Sequence, residues 1–100
     1  MRLVPGLSYQ AEVLYPKSVN RVRTRIAVRV SPEPSTLLIE GQLQAQEDTI
    51  EFRCPITERA LLVQTGDRLL INNRRFALGN VSEDPSTAEV VMIASRTAQG

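Results

Sequence analysis

The sequence predicts an all-β fold: a small β-barrel or sandwich of about seven antiparallel strands, with one short helical turn near residues 56–62. Three observations predict it. Apolar and polar residues alternate strictly over four segments of the first half, the mark of strands with one buried face. The stretches between apolar runs are built from Pro, Asn, Asp, Ser and Gly, the residues of turns. Only one short stretch carries helix-forming residues behind a capping side chain.

The elements follow in order. Tyr9, Ala11, Val13 and Tyr15 alternate with Ser8, Gln10 and Glu12, and Pro16 ends that run. Val22, Thr24, Ile26, Val28 and Val30 alternate with Arg21, Arg23, Arg25, Ala27 and Arg29. Ser31-Pro32-Glu33-Pro34-Ser35 is a loop, because two prolines remove two ladder donors and fix two φ angles. Leu37, Ile39 and Leu43 then alternate with Thr36, Glu40 and Gln42 as one strand, and Gln44 through Asp48 is polar enough for a turn. Ile50, Phe52 and Cys54 alternate with Thr49, Glu51 and Arg53.

Thr57 precedes Glu58-Arg59-Ala60-Leu61-Leu62, a run too short to stand as a free helix, so a single capped turn is expected there. Gly66-Asp67 restarts the strands. Asn72-Asn73 separates Leu69-Leu70-Ile71 from Phe76-Ala77-Leu78, and asparagine tolerates the positive φ of a two-residue hairpin turn. Glu83-Asp84-Pro85-Ser86 reads as a polar turn. Ala88 to Ala94, apolar on both faces around Val90-Val91-Met92-Ile93, reads as an interior strand. The elements form one domain across residues 1–100, with 1–7 and 96–100 expected to fray.

Composition narrows the function. Of 100 residues, 42% are hydrophobic and 23% charged, the balance of a soluble globular domain. No apolar run approaches the ~18 residues of a membrane span, and Pro5-Gly6 interrupts the start too early for a secretory signal, so no membrane partner is expected. With no histidine and Cys54 as the one cysteine, the common zinc sites and an intrachain disulfide are out of reach, as is imidazole general acid–base chemistry. Ser31, Ser35, Ser82 and Ser86 have no imidazole to activate them. Gly66-Asp67 lacks the further glycines and lysine of a phosphate loop. Cys54 lies on the apolar side of its strand, where a buried small hydrophobe is expected. The expectation is no enzyme, no catalytic or metal site and no cofactor.

The charges are uneven in kind: 12 residues are Lys or Arg, and Lys17 is the only lysine. Arginine is the less hydrated cation and presents a planar fork of donors suited to interfaces and phosphates. Arg21, Arg23, Arg25 and Arg29 fall on one face of one strand, about 6.7 Å between alternate positions. In water each neighbouring pair repels by roughly 0.6 kcal/mol; in a low-dielectric site the charges must be paired. That face is therefore solvated, opposed by carboxylates such as Glu47, Asp48 and Glu51 of another copy, or turned toward a polyanion. The aromatics Tyr9, Tyr15, Phe52 and Phe76 all fall at inward positions, so base-stacking is not expected.

The run Ile50-Glu51-Phe52-Arg53-Cys54-Pro55-Ile56-Thr57-Glu58 leads through a short turn into Gly66-Asp67-Arg68-Leu69-Leu70-Ile71. A tight turn, Phe76-Ala77-Leu78, Val81, the turn Ser82-Glu83-Asp84-Pro85 and a final strand follow. This order of elements resembles the head–tail joining proteins of tailed bacteriophages, the lambda-type head-completion family, over roughly residues 22–95.

The resemblance implies a structural protein of the virion that assembles as a ring with copies of itself between portal or adaptor and tail. Its work would be to seal packaged DNA and present docking surfaces. A ring multiplies weak contacts and requires heterologous interfaces, in which a basic patch on one copy can meet an acidic patch on the next. Arg21, Arg23, Arg25 and Arg29 are the candidates for that interface or for non-specific contact with DNA in the lumen. Pro32, Glu33, Pro34, Glu47, Asp48, Glu83 and Asp84 are the candidate docking loops. The rival is a small nucleic-acid-binding β-barrel using the arginine face of residues 21–30, whose affinity would fall steeply with salt. Under the ring reading, Arg23→Glu with Arg25→Glu is expected to spare folding and impair assembly.

Overall fold

The computed structural model describes residues 3–18, 20–31, 36–39, 42–45 and 49–96, with the side chains of 36–39, 42–45 and 96 left out of account. The fold is all-β, as the alternation predicts. Its strands are β1 (Ser8–Leu14), β2 (Val22–Val30), β3 (Thr36–Ile39), β4 (Gln42–Ala45), β5 (Thr49–Pro55), β6 (Arg68–Ile71), β7 (Arg74–Asp84) and β8 (Glu89–Arg96), with a 3-10 turn at Ala60–Leu62. Six strands, antiparallel throughout, close on themselves in the order β1-β2-β5-β8-β7-β6, and β6 returns to β1. The ring is uneven rather than a regular barrel. β7 and β8 pair from Phe76–Arg96 to Asp84–Glu89, whereas β2 and β5 share only Arg29–Arg53 and Val30–Phe52.

Inward residues fill the ring. Val13, Val28, Phe52, Leu69, Ile71, Phe76 and Met92 are fully buried, with Cys54 among them. Phe52 and Phe76 meet edge to face at 5.4 Å between ring centres, joining two strands that do not pair. β8 is bonded on both sides, to β5 and β7; Val90, Met92 and Ala94 point into the ring and are buried, while Val91 and Ile93 on its outer face are half-buried. Burial pushes the Cys54 thiol up to about 11, with the charge of Glu89 adding to it, so the group stays protonated at neutral pH.

The turns follow local chemistry. Asn72 and Asn73 both take positive φ (49° and 65°), the type I′ geometry read from the sequence, and close the β6–β7 hairpin at Ile71–Arg74. The Thr57 hydroxyl accepts the Ala60 N–H at 3.1 Å just ahead of the 3-10 turn, whose N-cap residue is Arg59, with no side-chain cap of its own. Pro16 with Lys17 at φ 62° turns the chain after β1, and the Ser18 N–H donates to the Tyr15 carbonyl. Residues 3–7 lie against β2, the Gly6 N–H donating to the Val30 carbonyl at 2.8 Å.

Four local readings are corrected. The single strand expected over 36–43 is a hairpin, β3 and β4 pairing from Thr36–Ala45 to Ile39–Gln42; Gly41, between them, is the signal that reading passed over. Gln44 accordingly belongs to β4, and the remainder of the expected 44–48 turn lies largely outside the described residues. Glu83 and Asp84 close β7, and the turn itself is residues 85–88. Tyr15 does not face the core. The register shifts between Val13 and Leu14, so Leu14 takes the buried position and the alternation no longer carries Tyr15 inward. A second bulge at Gly79, between Leu78 and Asn80, moves the inward phase of β7 to Val81.

Candidate functional site

The arginine face of β2 is the site the sequence singles out. Alternation places Arg23, Arg25 and Arg29 outward, between buried Thr24, Ile26, Val28 and Val30. Arg21 precedes the strand, its N–H donating to Ser18 Oγ at 2.9 Å. The structure thus keeps the four cations along one line, but three of them have carboxylate partners in the same chain.

Arg23 is the most deeply engaged. Its Nη2 donates to Asp67 Oδ1 at 3.1 Å, and its Nε lies 2.8 Å from Oδ2 although that N–H is not aimed at the oxygen. Asp67 is fully buried and also accepts the Gln64 N–H at 3.0 Å, while its carbonyl accepts the Leu78 N–H. Above the pair, the Arg23 guanidinium sits 4.1 Å from the centre of the Tyr15 ring, and that of Arg21 sits 4.7 Å from the same centre. The ring face stabilises both cations, and Tyr15 has this role because the β1 bulge frees it from the core.

The outer members are looser. Arg25 Nε donates to Glu12 Oε2 at 3.2 Å across the β1–β2 pair, with the Arg25 side chain 69% exposed; a pair so exposed contributes little to stability. Arg29 Nη2 lies 3.0 Å from Glu89 Oε2. Glu89 joins a second cluster around Arg53, which also meets Glu51 at 2.9 Å and Asp84 at 3.1 Å. Hydrogen bonding to Glu51, then to Asp84, raises Arg53 further above its already high value.

The candidate docking residues divide. Glu83 is exposed at the end of β7. Asp84 is held by Arg53, and its Oδ1 accepts both the N–H and the hydroxyl of Ser86. Glu51, considered as a partner for another copy, is bonded to Arg53 in its own chain. Pro32, Glu33, Pro34, Glu47 and Asp48 lie outside the described residues.

Arg23 now has a different expected behaviour. Arg23→Glu would set a second carboxylate against buried Asp67, so loss of folding is expected from that substitution, whereas Arg25→Glu remains a surface change. Asp67, Glu12, Glu89 and Arg53 were not singled out as partners. A lone Asp after a glycine carries no sign that its partner stands 44 residues earlier.

Asp84 supplies a pH test. Its carboxyl is held down to about 2 by the Ser86 hydroxyl and then by Arg53, from an ordinary value near 3.8. A depressed carboxylate stabilises the fold at pH values above its unfolded value and loses that contribution as pH falls through the folded one. The melting temperature of the wild type is expected to fall between about pH 4 and pH 2 more steeply than that of Asp84→Asn. Parallel curves for the two proteins in that window would refute the assignment.

Among the described residues no group of three or more His, Cys, Asp or Glu side chains could hold a metal ion, and no helix is long and apolar enough to cross a membrane. No family model matches the chain, and no curated protein matches it. Among solved structures, the phage-like element PBSX protein xkdH from Bacillus subtilis has a similar fold, with a TM-score of 0.59 over 94% of this chain and 97% of that one. The two sequences are 10% identical, so the likeness establishes the fold.

Proposed function

We propose that this chain is a structural protein of a tailed-phage particle or phage-like element, working as a head–tail connector that assembles in a ring between portal and tail. The observation that carries this reading is the likeness to xkdH, which spans nearly the whole of both chains. It agrees with the order of elements that resembles the head-completion proteins, an order read from the sequence independently of any fold comparison. The role is mechanical, and no catalytic chemistry is assigned to it.

The arginine face does not favour the rival reading, binding to nucleic acid, and its internal pairing equally leaves Arg23 and Arg29 little free charge for a neighbouring copy. Three of its four cations are matched by Asp67, Glu12 and Glu89 in the same chain. Phosphates would have to displace those carboxylates, which weakens a sequence-blind electrostatic contact.

Deletion of the reading frame from a genome that makes the particle tests the proposal. Electron microscopy is expected to show heads and tails accumulating separately, with complementation by the intact chain restoring joined particles. Normal tailed particles from the deletion strain would end the connector reading.

A further inference from the structure

The ring of strands has a gap. Alternate residues of β2 turn their main-chain groups to opposite neighbours. Val30 bonds toward β1, its N–H donating to the Leu7 carbonyl, while the Ser31 N–H donates to the Glu51 carbonyl of β5. By the same parity Arg25 and Ala27 direct their N–H and C=O toward the β5 side. The register that pairs Arg29 with Arg53 would set Ala27 opposite Pro55. Proline has no N–H to give, and the chain turns away there into the 3-10 turn. Among the described residues no strand stands against β2 at Arg25–Ala27. An open groove of about 430 Å³ lies there instead, lined by Arg25, Ile26, Ala27, Cys54, Pro55 and Thr57 together with Arg59 and Ala60.

The rim of this groove is basic and its flank apolar. Arg59 is exposed, and Arg25, itself exposed, meets the partly exposed Glu12 through Nε. The 3-10 turn beside it leaves Leu61 and Leu62 about half exposed, at 53% and 52%. An exposed strand edge is a template for pairing with another chain.

The same chain contains a segment of complementary chemistry. Residues 32–48 carry Glu33, Glu40, Glu47 and Asp48 and no cation, around the apolar positions Leu37, Leu38, Ile39 and Leu43. Their strands β3 and β4 form a two-stranded sheet of their own, and a lone two-stranded hairpin is at best marginally stable in water. Within its own chain the hairpin pairs with no strand of the ring among the described residues. In chain order the hairpin lies between β2 and β5, and β5 already occupies the lane beside Arg29 and Val30.

We infer that the β3–β4 hairpin of one copy docks on the open β2 edge of the next, adding a strand at Arg25–Ala27 with its carboxylates against Arg25 and Arg59. The contact joins two different surfaces, so repeated around an axis it builds a ring. It rests on the ring reading above and names the contact that would hold such a ring.

A charge exchange in the full-length chain tests this. The groove variant Arg25→Glu with Arg59→Glu and the hairpin variant Glu40→Lys with Glu47→Lys are each expected to self-associate at least about tenfold more weakly than wild type by sedimentation. Both should retain the wild-type melting temperature within a few degrees. Mixed together, each hairpin finds a groove of opposite sign, and association is expected to return. The amide signals of Arg25 and Ala27 should shift with concentration in the wild type and not in either variant alone.

The inference is overturned if either variant associates like wild type, if mixing restores nothing, or if the wild type shows no concentration-dependent association. Protection of the Arg25 and Ala27 amides in the dilute monomer overturns it too, since the chain's own hairpin would then fill the groove. A deletion strain that makes separate heads and tails, beside variants that associate normally, would remove this contact and leave the connector reading standing. Normal particles from the deletion strain, with the charge exchange working, would do the reverse.

Discussion

Asp67→Ala is expected to destabilise the protein by about 3 kcal/mol, the lower part of the range for breaking a buried ion pair, because Arg23 keeps some access to water. The loss has two sources. Arg23, with its side chain 17% exposed, is left without its counter-charge against the Tyr15 ring. The Gln64 N–H also loses the acceptor that organises the turn into β6. Since β6 closes the ring by pairing with β1, the damage falls on the seam where the sheet meets itself. Urea denaturation monitored by circular dichroism measures it. The paired replacement Arg23→Met with Asp67→Leu is expected to cost less than Asp67→Ala alone, because no charge is then buried without a partner. A loss below about 1 kcal/mol for Asp67→Ala would show that the pair is bystander chemistry.

Phe76→Ala is expected to cost about 3 kcal/mol or more, as large aromatic truncations in a packed core do. Phe76 is fully buried and meets Phe52 edge to face, so the substitution removes both apolar area and an oriented ring contact. It also opens a cavity between β5 and β7, walls that have no shared hydrogen bonds to draw them together. The shift of the urea midpoint at unchanged slope gives the value. A near-neutral result would mean that the β6–β7 register, which sets Phe76 opposite Leu69, is wrong.

These two residues illustrate different degrees of legibility. Phe76 follows Asn72-Asn73 at a spacing that a two-residue turn converts directly into an inward position, and the structure bears this out. Asp67 precedes a strand and looks like any polar residue at a loop end. Its importance comes from a partner on β2 that only ring closure brings near. Tyr15 shows the converse error. Strict alternation from Tyr9 carries it into the core, but one bulge at Val13–Leu14 turns it outward to stack under two arginines. The edge at Ala27 was hidden for a similar reason. Pro55 was visible in the sequence, but the residue opposite it depends on the β2–β5 register.

Alternation, turn residues and composition by themselves determined that this chain is an all-β domain, where most strands start and stop, and which side chains fill its centre. Those properties are local, because a side chain's face is decided by its parity and a turn by the φ its residues tolerate. Only the tertiary structure decided how the strands close, which carboxylate each arginine meets and where the sheet is left open. Those depend on register between segments distant in the chain, and a single bulge or proline resets it without changing the pattern on either side.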